Sequence, residues 1–375
     1  MSKPVTVLVT GSGSSATSST IYSLKMNPES RKVRIVCTDI RPGIAARFMC
    51  DSFYIIPRAS SPDFLDAVTR IIEEESIDVV LPQVPAELPV LARERDRLRR
   101  AGAVVAISPP EAIAVALDKY RMIEYARSIG VPAPQAYSVS SWSELEWAIE
   151  ELGYPAKPFI VRIGSGDGMK GFRIVVSPEK AWEWFSRERP GGPPWITISA
   201  LRDILGQGSF KTRVMVAEYL PGEEYTVDVL ADSNKVYVVV PRRRLEMRIS
   251  MTFSGIVEER EDVIKYSEKL SKSLGLEYAF GFQFREDEDG IPKLLECNPR
   301  IQSTMILSAF AGANVVWGAV KLALGEEPGP FNVKWGTILY RFWGAIGVYE
   351  DRLIASDWLF HYRELSKKAS KGLEE

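Results

Sequence analysis

Three oxygen-bearing side chains stand on two adjacent apolar runs. In "AFGFQF" alternate residues of an extended strand share a face, so Phe280, Phe282 and Phe284 lie together and Gln283 lies on the other face with Gly281. In "LLECNPR" the same alternation groups Leu295 with Cys297, and Glu296 with Asn298. The intervening "DEDG" supplies a turn, which predicts a hairpin. With the apolar faces on a core, Gln283, Glu296 and Asn298 converge on the opposite face. One carboxylate and two amide carbonyls suit a hard cation, Mg2+ (or Mn2+), which prefers oxygen and is commonly held by one or two carboxylates plus substrate phosphates. Arg300 follows Pro299 and sets a cation beside them. A solvated polar strand face has the same alternation, so spacing alone leaves both readings open.

The single histidine, His361, narrows the chemistry further. Any Ser-His-Asp or Cys-His mechanism would have to run through it, and it sits in an expected amphipathic C-terminal helix, "SDWLFHYRELSKKASKGLEE". Carboxylates, amides, cations and bound metal must do the work. Cys37, Cys50 and Cys297 form no CxxC pair, which supports neither a disulfide framework nor a zinc site and fits a reducing cytoplasm. A net charge of -2 gives no overall basic field for nucleic acid. The apolar residues 338–349 are few and include Arg341, so they read as core and not as a membrane span.

The chain of 375 residues must position these groups, and it is long enough for two or three domains. Over its first hundred residues, short β-branched runs ("VTVLVT", "VRIVCTD", "SFYIIP", "DVVLP", "AVVAIS") alternate with helical stretches. That alternation predicts a doubly wound parallel sheet. The first turn, "VTGSGSSATSST", comes close to a dinucleotide fingerprint, but Asp39 stands nearly thirty residues after Gly11 where a ribose-binding acid is expected nearer twenty. Its hydroxyls and helix N-terminal amides suit an anion, and a plain tight turn fits equally. "SPPEAIAVALDKYRMIEYARSIG" reads as one helix, with Ser108 and Glu111 as a capping box and Gly130 at its end. Beyond "VPAPQ" the chain is strand-rich, residues 190–208 read as a long loop, and residues 305–324 read as helical.

"ECNPR" with the preceding "GFQF" resembles the metal-binding end of the ATP-grasp superfamily, nearest to one module of the carbamoyl phosphate synthase large subunit. Three further stretches resemble that family in the same order: "ALDKYRMIEYARSIGVPAPQ", "PFIVRIGSGDGMKGFRIV" and "VAEYLPGEEYTVDVL". The likeness spans roughly residues 1–325. It implies an α/β chain: a doubly wound parallel-sheet N-terminal domain at 1–112, a leading helix and small lid domain at 113–212, and a larger antiparallel-sheet domain at 213–326. Residues 327–375 would be C-terminal strands and the tail helix.

The resemblance also implies roles. Gln283, Glu296 and Asn298 hold the metal, and Lys119 and Arg162 approach the nucleotide phosphates. The loop around Ser165, Gly166, Gly168 and Lys170 covers them. Glu218, Tyr219 and Leu220 line the adenine, Glu224 accepts from ribose, and Arg300, Asn298 and Arg244 act on the transferring group. Arg242 shares the face of Arg244 and is a second candidate for a substrate anion. The implied activity is an ATP-dependent carboxylate–amine ligase working through an acyl phosphate on small molecules, with an amino acid on one side, and a homodimer is compatible with it. Phosphorylation of bicarbonate or carbamate, a non-catalytic nucleotide-binding protein and an NAD(P) oxidoreductase are the alternatives.

Overall fold

The computed structural model describes residues 3–163, 171–187, 194–206, 208–248, 251–341, 346–349 and 352–356. The first domain runs β1 (Val5–Val9), α1 (Thr17–Lys25), β2 (Val33–Asp39), β3 (Ser52–Ile55), α2 (Phe64–Glu75), β4 (Val79–Leu81), α3 (Leu88–Arg93), α4 (Arg95–Arg100) and β5 (Val104–Val105). Its strands pair in parallel in the order β3-β2-β1-β4-β5. The order reverses between β1 and β4, which opens a crevice beyond their carboxyl ends. Gly11 turns the chain there at φ +58°, and a Cβ at that position would stand 2.7 Å from both Val84 methyls. Only glycine meets both demands.

The expected single helix is two. α5 (Pro110–Ala116) ends, Asp118 adopts an extended conformation, and its carboxylate accepts from the Arg121 amide at 3.1 Å to start α6 (Lys119–Ser128). A capping side chain here outweighs the continuity of the apolar stripe. The Ser108 capping box does not form. Ser108 Oγ instead donates to the Glu277 carbonyl at 3.1 Å and accepts from the Glu277 amide at 2.9 Å.

The lid follows as β6 (Ala136–Ser141), α7 (Trp142–Glu151), β7 (Phe159–Ile163), β8 (Arg173–Val176), α8 (Pro178–Arg187), β9 (Trp195–Thr197), α9 (Ile198–Leu205) and β10 (Ser209–Glu218). Its sheet order is β6-β10-β7-β8-β9. Two expectations change here. Part of the expected loop 190–208 is β9 and α9, started by Thr197, whose hydroxyl accepts from the Ala200 amide at 3.4 Å. β10 pairs with β6 and β7, so the lid sheet crosses the boundary expected at 212.

The large sheet comprises β11 (Glu224–Ala231), β12 (Val236–Arg248), β13 (Met251–Val257), β14 (Tyr278–Glu286), β15 (Pro292–Asn298) and β16 (Ile338–Tyr340), in the order β15-β14-β11-β12-β13-β16. Phe280, Phe282 and Phe284 are fully buried against Met122 and Ala126 of α6 and against Val263 and Leu270 of α10 (Glu261–Leu274). Each such ring stabilises the packing by about 1.5–3 kcal/mol. The expected 305–324 helix is also two, α11 (Met305–Phe310) and α12 (Val315–Ala323), separated at Gly312 with φ +90°. Trp317 of α12 shares one core with β1, β2 and α1, which joins the first domain to the large sheet. A final hairpin pairs β17 (Ile346–Tyr349) with β18 (Arg352–Ser356). The expected terminal helix, His361 included, lies outside the described residues. No helix among the described residues is long and apolar enough to cross a membrane.

Candidate nucleotide and metal site

β14 and β15 form the expected hairpin, with Gln283 opposite Glu296 and Gly281 opposite Asn298. β11 flanks β14 on its other side, with Thr226 opposite Gln283 and Asp228 opposite Gly281, and β12 places Arg242 opposite Thr226. Residues directly opposite share a face, so one polar face gathers Glu296, Asn298, Gln283, Thr226, Asp228 and Arg242. Leu295 departs from its expected place. The register shifts between Gln283 and Phe284, so Leu294, not Leu295, is buried with Cys297. A β-bulge of one residue keeps both the phenylalanine stripe and the Glu296/Asn298 alternation.

Glu296 is the electrostatic centre. Its Oε2 pairs with Lys119 Nζ and stands 3.8 Å from Arg162 Nη1, and its Oε1 accepts from Asn298 Nδ2 at 3.0 Å. Burial alone would raise this carboxyl, but Lys119, Arg162 and the Asn298 amide outweigh it and hold the pKa at about 2. The same burial lowers the Arg162 guanidinium, and Glu296 opposes that shift. The donor set fits a hard cation. Glu296 is ionised, and Asn298 spends its Nδ2 on Glu296, which leaves its carbonyl oxygen as the donor.

Beside this cluster a cleft of about 530 Å³ opens between α6 and the lid sheet. Lys119, Arg121, Arg162 and Arg213 line it with Ser138 and Met215. Arg121 and Arg213 escaped the sequence reading. Arg213 sits on β10, which pairs β7 at Met215–Arg162, and that pairing could only have been guessed from the basic residues alternating in "KTRVM".

The strand end leading to the large sheet is tied down. Glu218 accepts from the Gln135 amide at 2.8 Å and from Lys293 Nζ, so its carboxylate is engaged within the chain. Leu220 is buried, and Tyr219 packs edge-on to Trp184 with ring centroids 5.8 Å apart. Glu224 accepts from Arg244 Nη1 at 2.7 Å, and Arg244 Nε donates to Thr226 at 3.0 Å. Arg285, not foreseen, stands 3.9 Å from Glu224. Arg300 lies directly past the site strand, and its Nη1 donates to the Ile301 carbonyl at 3.0 Å.

Two expectations are corrected. Arg242 is 2% exposed and donates to Asp228 at 2.5 Å, while Ser308 holds the other Asp228 oxygen at 2.5 Å. A buried pair of this kind is structural, so Arg242 does not stand open to a substrate anion. Half of the hydroxyl tract after Gly11 turns inward: Ser12, Thr17 and Ser19 are buried, whereas Ser14 and Ser18 are half-buried and Ser15 is exposed. Ser12 donates to the Thr38 carbonyl at 2.9 Å, Thr17 to Gln83 at 2.7 Å and Ser19 to the Ser303 carbonyl at 2.8 Å, so these hydroxyls form no open anion cradle. Ser165, Gly166, Gly168 and Lys170 lie outside the described residues.

Residues 210–338 match the family described as ATP-grasp in the biosynthetic pathway with Ter operon, and residues 7–106 match the PylC-like N-terminal domain. Among curated proteins, the carbamoyl phosphate synthase large chain of Clostridium acetobutylicum is 23% identical over 274 residues, covering 70% of this chain and 24% of that one. The large chain of Rubrobacter xylanophilus is 26% identical over 274 residues, covering 69% and 24%. The chain thus spans about a quarter of the length of these relatives. Among solved structures, N5-carboxyaminoimidazole synthetase from Staphylococcus aureus complexed with ADP superposes with a TM-score of 0.63 at 18% identity, covering 88% of this chain and 80% of that one. Biotin carboxylase from Campylobacter jejuni gives a TM-score of 0.63 at 17% identity, covering 89% and 74%. Phosphoribosylglycinamide synthetase from Anaerococcus prevotii gives 0.58 at 18% identity, covering 87% and 76%. These likenesses are likenesses of fold.

Proposed function

We propose that this chain, whose residues 210–338 match an ATP-grasp family, is an ATP-dependent carboxylate–amine ligase acting on small molecules. The observation that carries this reading is the cluster of Glu296 and Asn298 with Lys119 and Arg162, the two cations that also line the cleft. It joins an ionised oxygen-donor set to cations suited to phosphates, which is the demand of phosphoryl transfer.

In this reading Lys119 and Arg162 neutralise the phosphates of ATP, with Lys119 exchanging Glu296 for a phosphate oxygen. Gln283, Glu296 and Asn298 would hold Mg2+ (or Mn2+), which would supply positive charge to neutralise the phosphates. The segment Glu218–Tyr219–Leu220 offers adenine its backbone and the face of Tyr219, and Glu224 offers ribose its carboxylate. The loop with Ser165, Gly166, Gly168 and Lys170 covers the phosphates and excludes water, which would hydrolyse an acyl phosphate. A carboxylate oxygen of the first substrate attacks the γ-phosphorus and ADP leaves. The amine nitrogen then attacks the acyl carbon, phosphate leaves, and the nitrogen loses its proton. Arg300, with Arg244, stabilises the charge of the transferring group. An amino acid on one side of the bond is the expected substrate class.

Purified protein given ATP, Mg2+ and a matrix of carboxylates and amino acids should release ADP only for a matching pair, and Glu296→Gln should abolish that release. Tight ATP binding with no pair-dependent release would contradict the proposal. The likeness to carbamoyl phosphate synthase large chains, together with Gln283 at the first metal position, favours a second reading: phosphorylation of bicarbonate or carbamate. Bicarbonate-stimulated ADP release with no amino acid present would select it.

A further inference from the structure

A second cavity opens where the edge of the first domain meets the start of β14. It holds about 190 Å³, and Arg95, Asp96 and Arg99 of α4 line it with β5, Glu277 and Tyr278. β5 is the outermost strand of its sheet, so the cavity lies at the sheet edge and not in the crevice between β1 and β4. Gln283 lies five residues along β14 from Tyr278, roughly 17 Å at strand spacing. The backbone here is held in an uncommon shape. Ser108 Oγ accepts from the Glu277 amide at 2.9 Å and donates to its carbonyl at 3.1 Å, and Tyr278 then takes φ +64°. An aromatic residue is strained in that region, and such strain persists where the surroundings over-determine it, as they do at ligand sites.

The charges in this cavity do not satisfy one another. Arg95 and Arg99 are four residues apart on α4 and share its face. Arg95 Nη1 stands 4.0 Å from Glu277 Oε2, too far for a hydrogen bond. Among the described residues no carboxylate pairs with Arg99 and no cation with Asp96. Burial raises the Glu277 acid, Arg95 opposes that, and Asp232 and Glu111 add to it. A ligand of one sign fits poorly here. An anion drawn to the arginines meets Asp96 and Glu277, and a bare cation drawn to the carboxylates meets two guanidinium groups. A ligand carrying both charges suits both halves. The short gap between Arg95 and Glu277 requires those charges to be close together, as on one α-carbon. The volume is below the roughly 300 Å³ at which sites for drug-sized molecules begin, which limits the ligand to few heavy atoms.

We propose that this edge cavity is a binding site for a small α-amino acid in its zwitterionic form: the carboxylate rests on Arg95 and Arg99, and the ammonium on Glu277. The site is separate from the nucleotide cluster and does not depend on the ligase reading. Its ligand bridges α4 of the first domain to the strand that carries Gln283, so occupancy ties the two domains together.

The test uses the full chain without nucleotide. The probes are the standard L-amino acids, each beside its N-acetyl and carboxamide forms, and inorganic phosphate. Calorimetry should find a free amino acid that binds, with both blocked forms at least roughly tenfold weaker, the loss of one charge-assisted contact. Arg99 is exposed, so Arg99→Ala should fold normally and weaken that binding roughly tenfold. Glu277→Gln should weaken it by a similar factor, and Arg99→Lys should keep part of it. The bound amino acid should also raise the melting temperature of the wild type more than that of Arg99→Ala. No amino acid binding to the wild type would overturn the assignment. So would binding that Arg99→Ala leaves intact, which belongs to another site such as the ligase cleft. Phosphate that binds through Arg99 as tightly as the amino acid would overturn it too, because the cavity would then take a plain anion.

Discussion

Lys119 in the first turn of α6 and Glu296 on β15 form an ion pair across 177 residues of sequence. Neither is fully buried, with side chains 19% and 15% exposed. The pair holds the Glu296 carboxylate ionised, and in the proposed ligase reading a nucleotide phosphate takes the lysine from it. Lys119→Met should therefore raise the KM for ATP by roughly ten- to a hundredfold, as expected for one charge-assisted contact. Steady-state ADP release measures it, and an unchanged KM would show that Lys119 serves Glu296 alone.

Arg242 and Asp228 are expected to act on stability and not on turnover directly. Breaking a buried pair leaves one charge uncompensated, so Asp228→Leu or Arg242→Met alone should cost about 3–5 kcal/mol. Replacing both with these apolar residues should recover most of the loss. Urea unfolding of the four proteins checks the cycle, and additive losses would contradict it.

Gly281 is opposite Asn298, and a Cβ there would stand 1.7 Å from Gln302 Nε2 and 2.6 Å from the Val227 carbonyl. The carbonyl cannot swing away as a side chain can. Gly281→Ala should destabilise by about 1–3 kcal/mol and displace Gln302 beside the site. A melting temperature equal to that of the wild type would show that the strand yields more easily than this geometry implies.

The polar face of Gln283, Glu296 and Asn298 was legible because strand alternation is local and the two runs are joined by a short turn. Leu295 was misplaced because a bulge is a property of the pair of strands and leaves no trace in one of them. β9 and α9 were hidden by the flanking prolines and glycines, and the break before α6 by an apolar stripe that continues through Asp118. Arg242 and Arg244 look alike in sequence. Their fates differ because Asp228 on the neighbouring strand takes Arg242, and Ser308, which holds Asp228, comes from a distant helix. The Thr10–Glu87 contact is likewise invisible, because 77 residues separate its partners.

Glu87 gives a pH dependence of stated sign. Its acid lies at about 7 in the fold against an ordinary 4.5. Between those values the native chain holds a proton that the unfolded chain has released, so stability falls as pH rises through the window and the loss is complete above 7. Glu87→Gln lacks this titration. Its melting temperature should match the wild type near pH 4.5 and exceed it by pH 8, with a gain of up to about 3 kcal/mol. A gap that stays constant across that range would contradict the buried, uncompensated carboxylate.

The central claim is ligation through an acyl phosphate, and isotope transfer tests it most directly. The carboxylate selected by the ADP-release matrix is labelled with 18O and turned over with ATP, Mg2+ and its amine. The account predicts one 18O in each phosphate released, because the carboxylate oxygen that attacked the γ-phosphorus leaves with it. Phosphate free of label, formed at the same rate as product, would contradict the account.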